Sequence, residues 1–124
     1  MHYMKISRIA EILDAKVLAC PELVDSEVCS ACGSDMMSDV LAFVNDQAVL
    51  LTGLVNTQVI RTAEMMDMRC VVFVRSKVPG PDILELAEKC EIVVLAANKR
   101  MYEACGLLYT NGLIGTNTKG SAAL

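Results

Sequence analysis

The sequence predicts an α/β fold: a three-layer α/β/α sandwich with about five strands in a mostly parallel sheet. Three observations carry that expectation. The stretches Ala48-Val49-Leu50-Leu51, Val71-Val72-Phe73-Val74 and Ile92-Val93-Val94-Leu95 are short, unbroken and apolar, the pattern of strands buried on both faces. Each is followed by apolar residues at helical spacing. Strand then helix, repeated along the chain, makes a series of βα units whose crossovers should be right-handed.

Five segments fit the i, i+3, i+4, i+7 template of a helix with one apolar face. They are Ile6/Ile9/Ala10/Leu13, Met37/Val40/Leu41/Val44, Val59/Thr62/Ala63/Met66, Ile83/Leu86/Ala87/Cys90 and Met101/Ala104/Cys105/Leu108, with Thr62 the weak member. Ser7, Asn56 and Asn98 stand where N-caps belong. Pro81 suits a first helical turn, and Gly112 a C-terminal stop. Two shorter strands are expected at Lys16-Val17-Leu18 and Glu27-Val28-Cys29-Ser30-Ala31. Residues 1–114 read as a single domain. The polar, Gly-rich residues 115–124 read as a mobile tail.

A chain of 124 residues suits one domain, and 54% hydrophobic against 21% charged residues is enough for a well-buried core. The net charge of −4 argues against non-specific nucleic-acid binding, which needs clustered cations. Lys77, Lys99, Arg100 and Lys119 are too scattered to form a stripe. No stretch approaches the roughly 18 apolar residues of a membrane span. The opening Met1-His2-Tyr3-Met4-Lys5 leads into an amphipathic helix and not a signal peptide. The expected location is therefore cytoplasmic. There the six cysteines would stay thiols, with Cys70, Cys90 and Cys105 acting as small buried hydrophobes.

In an open α/β sheet, ligands gather at the carboxyl ends of the strands. Three such ends are Thr52-Gly53-Leu54-Val55-Asn56, Arg75-Ser76-Lys77-Val78-Pro79-Gly80 and Ala96-Ala97-Asn98-Lys99. Thr52 offers a hydroxyl, Gly53 permits close backbone approach, and the helix start at Asn56 exposes free N–H groups that can hold an anion. Arg75 and Lys77 supply countercharge. The same residues also describe an ordinary strand-to-helix turn with a capping Asn.

Asp35, Ser38 and Asp39 are expected on one helix face, opposite its apolar stripe, with the two carboxylates one turn apart. They can serve a divalent cation or acid–base chemistry, or form a solvated helix start favoured by the dipole. Cys29 and Cys32 have the spacing of a redox dithiol or half a zinc site, yet no second pair accompanies them. The only histidine is His2, at the chain terminus. No nucleophile elbow or P-loop is present, so no catalytic site, metal site or cofactor is expected. Eight methionines include Met36 and Met65 outside the apolar stripes, where a partner can meet them.

Several blocks, in order, resemble the DRTGG domain family from about Lys5 to Leu113. Ser34-Asp35-Met36-Met37-Ser38-Asp39-Val40-Leu41-Ala42-Phe43 is similar to its acidic segment, and Leu50-Leu51-Thr52-Gly53-Leu54 to its Thr-Gly-Gly turn. Asn56-Thr57-Gln58-Val59-Ile60-Arg61-Thr62-Ala63, Val71-Val72-Phe73-Val74 and Met101-Tyr102-Glu103-Ala104-Cys105-Gly106-Leu107-Leu108 continue it. The chain departs from the name-giving letters: Val40 follows Asp39 where Arg is frequent, and Leu54 replaces the second Gly. The first change weakens any carried-over anion site. The second means the turn need not reach an unusual backbone conformation.

Such domains resemble in fold the amino-terminal domain of HPr kinase/phosphorylase. They accompany phosphate acetyltransferases, and CBS domains in regulated pyrophosphatases. The resemblance implies a regulatory, dimer-forming role, with a possible partner in redox or phosphate metabolism. The expected function is thus a non-catalytic, homodimeric interaction domain binding a protein or a small anionic ligand. Asp35, Ser38, Asp39, Thr52, Gly53, Asn56, Arg75, Lys77 and Asn98 are the candidate ligand residues. Two alternatives stand beside it: metal-assisted phosphate chemistry through Asp35 and Asp39, and a thiol sensor using Cys29 and Cys32.

Overall fold

A computed structural model describes residues 3–43 and 47–115. His2, Val44 and the tail from residue 116 onward lie outside the described residues.

The chain runs β1 (Met4–Lys5), α1 (Ile6–Leu13), β2 (Lys16–Ala19), a 3-10 turn (Pro21–Leu23), β3 (Glu27–Val28) and β4 (Ser30–Gly33). It continues α2 (Met37–Phe43), β5 (Ala48–Thr52), α3 (Thr57–Met65), β6 (Cys70–Phe73), α4 (Pro81–Lys89), β7 (Val93–Ala96) and α5 (Met101–Thr110). The main sheet has the order β2-β7-β6-β5-β4. Its last four strands are mutually parallel, and β2 joins the β7 edge antiparallel.

All five expected helices form, and the three apolar runs are β5, β6 and β7. Their residues alternate between two cores, as the pleat requires. Val49, Leu51, Val72, Val93 and Leu95 face α1 and α5, burying Ile6, Ile9, Leu13, Ala104 and Leu108. Leu50, Val71, Phe73 and Val94 face α2, α3 and α4, burying Val40, Val59, Ile60, Ala63, Ile83 and Ala87. Every residue of β5 is buried, which is why this strand reads as a continuous apolar run.

Several local expectations need correction. The segment 27–31 is not one strand. It breaks at Cys29: β3 pairs antiparallel with β1 in a small separate sheet, and β4 enters the main one. Ser7 does not cap α1. Lys5 occupies that position, and the amides of Ile6 and Ser7 donate instead to the carbonyls of Ser26 (3.0 Å) and Val24 (2.8 Å). Asn98 does not cap α5, because Arg100 holds the N-cap position. Asn56 does cap α3, accepting from the Val59 amide at 3.3 Å. Pro81 opens α4, and Gly112 follows α5 with φ +103°. Gly115 forms a parallel bridge with Ala31 on the outer edge of β4. No helix among the described residues is long and apolar enough to cross a membrane.

Candidate functional site at the carboxyl ends of the parallel strands

Strand register sets the site. Thr52, Phe73 and Ala96 lie side by side as the last residues of β5, β6 and β7. The turns that follow are therefore neighbours. Because β4 to β7 are laid down in one direction, the strands make no topological switch point. The carboxyl edge is a shelf and not a deep crevice.

On this shelf Asp35 follows β4 and meets the turn after β5. One oxygen, Oδ1, accepts both the Thr52 hydroxyl (3.1 Å) and the Gly53 amide (2.7 Å). The Thr52 hydroxyl oxygen accepts the Leu54 amide at 3.1 Å in turn. Thr52 and Gly53 are buried, whereas Asp35 is exposed. The turn therefore already holds an anion, supplied by its own chain. The donors expected to hold an external anion at this turn are bonded to Asp35 of the same chain.

Asp35 lies two residues before α2, outside the helix, so its expected place one turn from Asp39 on a helix face is not found. The cause is local. The Ser34 side chain accepts the Met36 amide at 3.0 Å, and the α2 amides of Asp39 and Val40 bond back to the Met36 carbonyl. Ser38 and Asp39 are exposed on the first turn of α2.

The turn after β6 is unusual. Arg75 and Ser76 both adopt left-handed conformations, φ 61° and 59°, and the Lys77 amide closes the turn on the Val74 carbonyl at 3.3 Å. Asp14, Cys20, Asp67 and Glu91 also have positive φ, but only here do two such residues stand in succession among the described residues. Here the Arg75 amide donates to Lys99 O (2.8 Å) and the Ser76 amide to Ala97 O (3.1 Å), locking the turn to the end of β7. The Arg75 side chain lies flat against Gly53, where a Cβ would stand only 2.9 Å from its guanidinium carbon. A side chain at Gly53 would push the Arg75 guanidinium aside, and Gly53 holds no positive φ.

On the other side of the turn, the Ser76 hydroxyl donates to Asn98 Oδ1 at 3.0 Å. These two residues, with Asp14, Lys16, Lys77 and Val78, line a cleft of about 160 Å³. Asp14 and Lys16 escaped the sequence reading. Lys16 reaches the shelf only because β2 runs antiparallel and pairs it with Ala96, which no local signal encodes.

All six cysteines are free thiols. Cys29 sits at the break between strands and its Sγ lies 3.3 Å from the Gln47 carbonyl. Burial chiefly, with Cys105 and Asp39 adding to it, raises the Cys32 pKa. That is opposite to the depression a reactive thiol needs. Among the described residues, Cys20, Glu22 and Glu88 bring potential metal-binding atoms within 4.8 Å of one another. Burial, then Glu88 and Glu22, push the Cys20 thiol up to about 11, and Glu88 already accepts the Cys20 amide at 2.7 Å. The Cys20 thiol itself lies 3.7 Å from the Ala87 carbonyl.

No protein-family model matches the chain, and no curated protein matches it. Among solved structures, it is similar to the CBS and DRTGG domains of the regulatory region of Clostridium perfringens pyrophosphatase, complexed with the activator diadenosine tetraphosphate. The TM-score is 0.69 at 14% identity, over 94% of this chain and 51% of that one. The chain therefore spans about half the length of that structure. The likeness shows the fold: the α/β architecture expected from the apolar runs occurs in a structure containing a DRTGG domain.

Proposed function

We propose that this chain is a non-catalytic regulatory domain that binds a small anionic ligand, nucleotide- or phosphate-like, at the carboxyl ends of its parallel strands. In this reading residues 1–114 are the working unit, in the cytoplasm. The unit acts as a homodimer or against a protein partner. The observation that carries the proposal is the clamped turn at Arg75 and Ser76. Two left-handed residues are held there by backbone bonds to the neighbouring strand end, and the turn carries Arg75 and Lys77 into a row of strand termini. Local strain of this kind concentrates at ligand sites. The structural neighbour supports the class, since it is a regulatory region in complex with a nucleotide activator.

The arrangement favours binding over the two alternatives. A metal-assisted reaction would use Asp35, but that carboxylate is engaged by Thr52 and Gly53. A thiol sensor would need Cys32 ionised, and its burial opposes that.

A thermal-shift screen against adenine and guanine nucleotides, acetyl phosphate and coenzyme A tests the proposal. A ligand at a hundred times its dissociation constant stabilises by about 2.7 kcal/mol, a rise of roughly 5–15 °C for a domain of this size. A wild-type protein unmoved by every compound would refute ligand binding and leave the protein partner.

A further inference from the structure

We propose that the cleft between Lys16 and Lys77 is the seat of a phosphate group carried on a sugar, and that the Thr52–Gly53 turn is not. This deepens the ligand-binding reading above and rests on it.

The two locations differ in what is already satisfied. At the Thr52–Gly53 turn, the hydroxyl and the amide both donate to Asp35. A phosphate entering there must displace a carboxylate and then face its charge. In the cleft, the donors are uncommitted to any carboxylate. Lys16 and Lys77 are exposed cations in its lining, one from β2 and one from the turn after β6. Asn98 uses its Oδ1 to accept from Ser76, which leaves its amide NH₂ to donate. A phosphate is rich in acceptors and matches such a set.

The clamped turn sorts the charges. Arg75 is directed over Gly53, while Ser76 and Lys77 line the cleft on the β7 side. Asp14 is the one carboxylate in the lining. A bare anion gains nothing from it, whereas a sugar hydroxyl can donate to it. Size agrees with this division. At about 160 Å³ the cleft is smaller than the ~300–1,000 Å³ of a pocket that encloses a drug-sized ligand. It can take a phosphate and part of a sugar, with any base lying outside on the shelf.

Isothermal titration of the full chain with ribose 5-phosphate, adenosine 5′-monophosphate, inorganic phosphate and adenosine reads this directly. The two phosphate esters should bind and adenosine should not. Lys16→Ala and Lys77→Ala should each weaken the esters about tenfold, the loss expected for one charge-assisted hydrogen bond. Added salt should weaken them further. Asp14→Asn should weaken ribose 5-phosphate while sparing or improving inorganic phosphate. Both lysines are exposed, so these variants should fold, and circular dichroism verifies it. Esters that bind the wild type but ignore both lysine substitutions would overturn this seat and leave the ligand-binding reading intact. Failure of every phosphate compound on the wild type overturns the seat. If the wider screen is also flat, the reading falls with it.

Discussion

Asp35 has the largest local consequence of any residue on the shelf. It is exposed, yet one of its oxygens satisfies the buried Thr52 hydroxyl and the Gly53 amide. Removing a hydrogen-bond acceptor from buried donors costs about 1–3 kcal/mol. Water reaching the exposed site should hold the loss near the lower bound. Asp35→Ala is therefore expected to destabilise by about 1 kcal/mol, read as a lower urea midpoint with an unchanged slope. Asp35→Asn keeps an acceptor oxygen and should recover most of it. Equal stability of the Ala variant and the wild type would show that these bonds are replaced without loss. The residue scale was partly legible in sequence. Asn56 was found because its cap bonds three residues away. Ser7 and Asn98 were misread because distant partners, the carbonyls of Val24 and Ser26 and the hydroxyl of Ser76, decide their surroundings.

Elements were legible in proportion to how much of themselves they bury. β5, β6 and β7 are apolar throughout because both faces are covered, so composition alone marks them. The two-residue strands β1 and β3 owe their existence to each other and have no pattern of their own. Helix α3 shows where pattern and chemistry part. Thr62 weakens its apolar stripe, yet it is fully buried, and its hydroxyl has no hydrogen-bond partner among the described residues. A buried unsatisfied hydroxyl is a liability, and Val has the same shape without it. Thr and Val differ little in helix propensity. Thr62→Val should therefore stabilise by about 1 kcal/mol, seen as a higher urea midpoint. A fall in stability would mean that the hydroxyl has a partner, such as a buried water.

For the whole molecule, the sheet order was the step that sequence could not supply. Asp35 meets Thr52 because β4 lies beside β5, and Lys16 shares a cleft with Lys77 because β2 pairs with β7 at the opposite edge. Neither pairing has a local signature. Association belongs to the same scale. Tyr102 and Tyr109 stand two turns apart on α5, 90% and 65% exposed, and so present two large rings on one helix face. Met36, just before α2, Leu41 in α2 and Met65 at the end of α3 are further exposed apolar side chains. Tyr is enriched at interface centres, so the α5 face is the stronger choice for a homodimer. Sedimentation equilibrium at high micromolar concentration should return a dimer. The Tyr102→Glu, Tyr109→Glu double variant should return a monomer with unchanged circular dichroism. A dimer that survives it would move the interface to the exposed methionines, where Met36→Glu with Met65→Glu is the corresponding test. A wild-type monomer would remove the homodimer and leave these surfaces to a different protein.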